Sequence, residues 1–486
     1  MAGRDNAFEQ RFKNLCSLVA ANLKVNNPRR ALVTAAAFLV FKDASVFARM
    51  SIEHATSNLG DEFVKRAELR DVDLDDGKFF DGDDVHGMFN ARPLALLSWL
   101  DGKLSLEGAG IPHWASAVPI ERIGITKKER EVLGLGDWLE DFFVFPKTQP
   151  HVKAPVEKQT HSHSRYFPRW EVTPAIPDPS QESRLVAVIA PSNAMISALK
   201  AYVGTPTISV YLAEFEEAPK FVSEWAVGDE LTTWKAKGLQ NSAKLAELAR
   251  GHIRRACSRG VNAIVFPELA VDHEVLQGIK TELRARLLAS PEQVPALVIA
   301  GSFHAEVGGK ILNRSLILDA AGNSVTFQDG TTFFHDKLTS VQLSAPKIIE
   351  GNDVGDVVTL MCSPIGTHAV VICLDLGQAA TADAVPLEKL PIRWLWVPSM
   401  SQTVKPHEAK SKTMCTQRAV TVACANQAAA DFGLAPSGLQ LALSGALGTS
   451  FVYQTTASAT EKSRPSSPYV EGETAYQIHN VQLTSI

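Results

Sequence analysis

Two apolar periodicities divide the chain. Up to about residue 145 the apolar positions recur at helical spacing. Phe8, Phe12, Leu15, Leu18 and Val19 share one face of a first helix, and 28-PRRALVTAAAFLVF-41 predicts a second. From Arg184 short apolar runs alternate with helical stretches. Strands are predicted at 184–190, 261–266, 296–303, 368–373, 393–399 and 448–454, with a hairpin over 311–328 turning at Ala321-Gly322. An amphipathic helix is predicted over 241–260, with Leu245, Leu248, Ala249, Ile253 and Ala256 on one face, a cap signal at Ser242 and Gly260 at its end. A second helix fits about 406–422. Residues 200–240 read as an insertion between the first strand and first helix of this unit. Such mixing predicts α/β or α+β layers.

Between the two patterns, residues 146–183 carry seven prolines and little periodicity, which predicts an extended linker. The expected organisation is a mostly helical accessory domain over 1–145, this linker, and a third segment over 184–486. His161 and His163 in the linker read as solvent-exposed. The acidic stretch 71-DVDLDDGKFFDGDD-84 reads as a solvated loop. A calcium loop wants glycine sixth and glutamate twelfth, where Asp76 and Gly82 stand.

Composition narrows the function classes. A net charge of -5 over 486 residues gives no basic surface for nucleic acid or anionic membrane. The six cysteines (16, 257, 362, 373, 415, 424) form no CxxC pair, so neither a zinc site nor a disulfide framework is indicated. A reducing compartment fits. The charged start MAGRDNAFEQRFKNL lacks a signal-peptide apolar run, and 30-RALVTAAAFLVF-41 is shorter than the roughly 20 residues that span a bilayer. The expectation is a cytoplasmic protein without metal or other cofactor.

Three short pieces place polar residues where apolar runs end. In 263-AIVFPEL-269 the run stops at proline and Glu268 follows. In 331-TTFFHDKL-338 Lys337 follows an aromatic run. In 370-VVICLD-375 the run delivers Cys373. Each has an ordinary reading: a helix-start carboxylate, a surface lysine, a core cysteine. Together they form a chemically complete set. A thiol is a weak nucleophile until deprotonated. A carboxylate can take its proton and return it to a leaving amine. A lysine favours thiolate and stabilises an oxyanion. No GxSxG elbow, HExxH or P-loop motif offers a serine, metal or phosphate alternative.

With these residues the chain resembles the nitrilase, or carbon–nitrogen hydrolase, superfamily over about residues 184–486. The glutamate motif is Val265-Phe266-Pro267-Glu268, the lysine motif His335-Asp336-Lys337, and the cysteine motif Ile372-Cys373-Leu374-Asp375. Gly301-Ser302-Phe303, Leu312-Asn313-Arg314-Ser315, Val397-Pro398-Ser399, 417-QRAVTVACANQ-427 and Gly448-Thr449-Ser450 resemble its supporting segments. Glu350 in 347-KIIEGN-352 resembles the second glutamate of many members. The resemblance implies a four-layer α-β-β-α sandwich, a homodimer or higher homo-oligomer, and a small-molecule amide or nitrile substrate. It implies Cys373 as nucleophile, Glu268 as general base and acid, Lys337 with a backbone N–H near Leu374 as oxyanion donors, and Glu350 orienting the attacking group. Residues 1–183 lie outside it.

The chain departs from the family at Leu374, at 376-LGQAA-380, and at Asp336, an acid placed to pair with the lysine. Asp375 after the cysteine is similar to amidase-like members, so an amide substrate is expected. A second class of function stays open: a catalytically silent scaffold or regulatory module of this fold, serving the N-terminal region or a partner.

Overall fold

The computed structural model describes residues 2–41, 96–97, 100, 120–146, 170–176, 185–189, 191, 193–202, 205, 207–326, 332–342, 347–377, 387, 390–418, 420–455, 460–463, 465 and 476–482. The acidic stretch 71–84 and both linker histidines fall outside these residues. The chain divides into two compact units, one of residues 1–188 with 389–391 and 486, the other of residues 189–388 and 392–485.

In the first unit the helical expectation holds for Ala2–Lys24 and Pro28–Ala36. Asn27 caps the second helix by accepting the Arg30 N–H at 3.1 Å, with Pro28 at the first position where no donor is needed. A π-helical turn, Ala37–Phe41, continues it. Leu15, Val19, Ala31, Leu32 and Ala35 are fully buried together with Phe142 and Val144. Those last two belong to an antiparallel sheet, Glu121–Gly124, Asp141–Pro146 and Trp170–Pro174, that the sequence pattern did not predict. The linker expectation over 146–183 therefore fails at 170–174. There Trp170 and Val172 are buried in the same core, and Pro146 and Pro174 stand at strand ends, where a missing donor is tolerated.

The second unit is built on two large sheets. One runs in the order His335–Asp336, Lys310–Leu318, Leu297–Val307, Ala263–Val265, Thr207–Ala213, Tyr476–Gln482. Thr207–Ala213 is thus an interior strand, parallel to Ala263–Val265, and the reading of 200–240 as an insertion is corrected. Its side chains alternate: Ile208, Val210 and Leu212 on one face, Tyr211 and Ala213 on the other. The second face carries the helices Ser242–Ser258 and His273–Ala289, whose Leu245, Ala249, Ile253, Val275 and Ile279 are fully buried. The first face shares a core with Met361, Val370, Trp394, Trp396, Ala423 and Val452 of the other sheet. That sheet includes, in order, Thr460–Lys462, Phe451–Thr455, Thr421–Asn426, Trp394–Ser399, Gly366–Val370 and Val357–Ser363. The helix Lys405–Arg418 packs against Thr421–Asn426 and Phe451–Thr455.

Two local expectations change. The longer hairpin is formed by Leu297–Val307 and Lys310–Leu318 around Gly308-Gly309, both glycines with positive φ, while the turn at Ala321-Gly322, closed by Asp319, returns the chain onto Lys310–Leu318 only over a short antiparallel bridge, Leu318 with Ser324. Ser242 does not cap its helix. Its hydroxyl donates to Asp272, which caps the next helix by accepting the Val275 N–H at 3.1 Å.

Candidate active site

The strand Ala263–Val265 is buried and ends before Pro267, which has no donor for a ladder. Glu268 follows, then Leu269 in left-handed backbone at φ 53°. The turn closes because residue 301 on the adjacent strand is glycine at φ 62°. A Cβ there would lie 2.3 Å from the Pro267 carbonyl oxygen. Lys337 leaves the edge strand His335–Asp336 with its N–H donating to the Asn313 carbonyl at 2.8 Å. The predicted strand over 368–373 ends at Val370, but Val371 and Cys373 still donate to Trp396 and Pro398 at 3.0 and 2.9 Å. Cys373 itself stands at φ 47°, a strained conformation for a side chain with a Cβ. The short helix Leu374–Gly377 begins directly after it, so the Leu374 N–H has no acceptor within that helix.

These turns bring Glu268, Lys337 and Glu350 into one buried cluster. The Lys337 ammonium lies 2.7 Å from Glu268 Oε1 and 2.5 Å from Glu350 Oε2. The Asn313 amide nitrogen donates to both carboxylates, at 3.0 Å to Glu268 and 2.9 Å to Glu350. The third donor differs. Glu350 Oε1 receives His304 Nε2 at 2.9 Å, whereas Glu268 Oε2 receives the Met400 backbone N–H at 3.0 Å. Cys373 joins through the same segment as Glu268: Ser399 Oγ donates to its sulfur at 3.5 Å, and the thiol points to the Met400 carbonyl at 3.9 Å. The thiol and Glu268 also act on each other electrostatically.

Burial sets the protonation of the cluster. It raises Glu268 above the usual carboxylate range, with Lys337 opposing and Glu350 assisting. Burial would raise Glu350 too, but Lys337 and the His304 hydrogen bond bring it down to about 2. Burial works against the Lys337 charge, and Glu268, Glu350 and Cys373 outweigh it, holding the ammonium well above its usual range. Burial, then Glu268, pushes the Cys373 thiol up to about 12, and Lys337 only partly offsets this. Lysine favours thiolate as expected, but in the resting site desolvation and Glu268 outweigh it, and the sulfur keeps its proton.

Asp336 does not pair with Lys337. It holds Arg314 through two contacts, at 2.6 and 3.0 Å. Asp375, two residues beyond the cysteine, accepts the N–H groups of Ile372 and Leu338 and the Thr339 hydroxyl. Sequence reasoning missed this anchoring role, and missed His304 and the Met400 amide altogether. His304 had a signal: it shares a strand face with Ser302, a polar phase in a run otherwise apolar and buried. A backbone amide leaves no sequence signal at all. His407, on the helix Lys405–Arg418, is buried beside the Cys373 carbonyl, and burial lowers its pKa.

No family model matches the chain, and no curated protein matches it. Solved structures do. An amidase from Nesterenkonia sp. is 11% identical, with 57% of this chain and 91% of that chain covered and a TM-score of 0.36. A structure of that organism's amidase with the acetamide moiety of fluoroacetamide added covalently at the active-site cysteine is 12% identical, covering 57% and 91%, with a TM-score of 0.36. A glutamine-dependent NAD+ synthetase from Acinetobacter baumannii is 15% identical, with a TM-score of 0.35; 56% of this chain is covered, and only 45% of the synthetase.

Proposed function

We propose that the protein is a thiol hydrolase of non-peptide carbon–nitrogen bonds, acting on an amide through Cys373, Glu268 and Lys337 on a nitrilase-like α-β-β-α sandwich. The observation that carries the reading is the shared anchoring of acid and thiol: Glu268 Oε2 and Cys373 Sγ both contact Met400, while Lys337 is clamped on the far oxygen of Glu268. The helix pair on one sheet and the single helix on the other support the sandwich.

In this reading Glu268 takes the Cys373 proton as the sulfur attacks the substrate carbonyl carbon. The oxygen becomes an oxyanion, met by the Lys337 ammonium and the Leu374 N–H. Glu268 returns the proton to nitrogen, the carbon–nitrogen bond breaks, and amine or ammonia leaves a thioester on Cys373. Water then attacks the thioester, Glu268 takes its proton, the acid departs and the proton returns to sulfur. Glu350 stays ionised and orients the attacking group. A resting thiol at about 12 fits a nucleophile that ionises only during attack. The small-molecule substrate, a homo-oligomeric assembly and action without a cofactor belong to the same reading.

The second reading, a silent scaffold, draws on one observation: Cys373 is only 7% exposed, and Glu268, Lys337 and Glu350 less. One experiment separates the two. Intact mass after incubation with amide and nitrile libraries should show an acyl adduct that Cys373→Ala abolishes. Absence of any adduct, with the thiol still reactive after unfolding, favours the scaffold.

A further inference from the structure

The two buried carboxylates of the cluster share two donors and differ in the third. Both take Lys337 and both take the Asn313 amide. Each oxygen of Glu350 is thereby engaged, Oε1 by His304 and Asn313 and Oε2 by Lys337. Among the described residues Glu268 Oε2 has only the Met400 N–H, on the segment that also contacts the sulfur. The third donor therefore decides which carboxylate is free to exchange a proton.

His304 is built for that task. The Ala236 N–H donates to its Nδ1 at 2.9 Å, which fixes the ring proton on Nε2, the nitrogen that faces Glu350 Oε1. Its side chain is 1% exposed, so water does not compete for the bond. Ala236 lies in the strand Thr232–Leu239, which also pairs with Ile348–Glu350 through Trp234. Donor, ring and acceptor thus hang on one small sheet and the adjacent strand Leu297–Val307. The groups that bear on Glu350 are Lys337, Glu268, Asn313 and His304, with Cys373 beyond Glu268.

We propose that His304 is a positioning residue: its Nε2–H pins Glu350 to Lys337 and so leaves Glu268 as the carboxylate that exchanges a proton with Cys373. This rests on the hydrolase reading for its kinetic consequence, but the tautomer does not. The test uses the full chain, His304→Phe, which removes the donor, and His304→Gln, which restores an N–H at the Nε2 position. Without the donor, Glu350 takes up a proton at higher pH and, once neutral, loses its hold on Lys337. The acid limb of Cys373 adduct formation should then move up by about one pH unit in His304→Phe, a tenfold loss of rate on that limb, and return in His304→Gln. Superimposed profiles for wild type and His304→Phe, or a His304→Gln that behaves as the Phe variant while melting like wild type, overturn the proposal. Nitrogen-resolved imidazole NMR should find His304 as the Nε2–H tautomer, whether or not any substrate is turned over. A proton on Nδ1 overturns the proposal, whereas absence of adducts with the Nε2–H tautomer in place counts against the hydrolase reading alone.

Discussion

Asp375 accepts the backbone N–H of Leu338 at 3.1 Å, and this contact couples the loop that carries Lys337 to the turn that carries Cys373. The same carboxylate takes the Thr339 hydroxyl at 2.8 Å and the Ile372 N–H at 3.0 Å. Residues on both sides of the site thus share one buried acceptor, and the ammonium and the sulfur cannot move apart without breaking it.

Asp375→Ala should leave those donors unpaired in a buried setting, at a cost of about 3–5 kcal/mol. Asp375→Asn keeps the shape but offers one acceptor oxygen instead of two, so it should unfold at intermediate urea and still lose most Cys373 adduct formation. Urea midpoints read beside adduct rates check both. A wild-type midpoint and rate in the alanine variant would show that the two loops are held by something else.

Gly301 is the second constraint on the Glu268 turn. Its φ of 62° suits glycine, and a methyl group would meet the Pro267 carbonyl oxygen at 2.3 Å and Val271 at 2.9 Å. Gly301→Ala should therefore cost about 1–3 kcal/mol and displace Glu268 from the Met400 N–H. A crystal structure of the variant with Pro267 and Glu268 unmoved would contradict this.

How much of this was legible depends on the kind of group. Glu268, Lys337 and Cys373 stand where apolar runs stop, and Pro267 marks one stop without ambiguity. The helix Ser242–Ser258 was legible because its stripe is regular. The strand Thr207–Ala213 was not, since Thr207 and Ser209 interrupt an apolar run that only the two-sided core explains. The sheet at 121–174 was hidden by long sequence separation and by prolines at strand ends. Donors such as the Met400 amide depend on where the backbone passes, which no residue type reports.

Lys337 neutralises two buried carboxylates at once, so its removal should be far worse than its replacement together with one partner. Lys337→Met leaves Glu268 and Glu350 facing each other unpaired, a loss on the order of 3–5 kcal/mol. Lys337→Met with Glu350→Gln removes a charge of each sign and should recover part of that loss. A double-mutant cycle in urea should thus give a coupling of about 1–3 kcal/mol. Additive effects would mean that the lysine and Glu350 do not sense each other in solution.

The protonated thiols set the alkaline limit of stability, and the sign follows from where the protons sit. Burial pushes Cys373 and Cys415 each up to about 12 in the folded chain, against about 8.5 when unfolded. Below that lower value both states hold the proton and the full stabilisation is present. As pH rises further the unfolded state releases protons that the folded state keeps, so stability falls, and it goes on falling until the folded thiols ionise. Each fully buried thiol contributes a slope of about 1.4 kcal/mol per pH unit in that window. Glu350 behaves in the opposite sense: held at about 2, it contributes stability above the usual carboxylate range that is lost as pH falls toward 2. Urea midpoints of wild type and Cys373→Ala between pH 9 and 11 isolate the nucleophile's share. The variant should lose stability more gently with rising pH, by about one thiol's slope. Parallel curves for the two proteins would mean that Cys373 ionises as readily folded as unfolded, and that burial does not hold its proton.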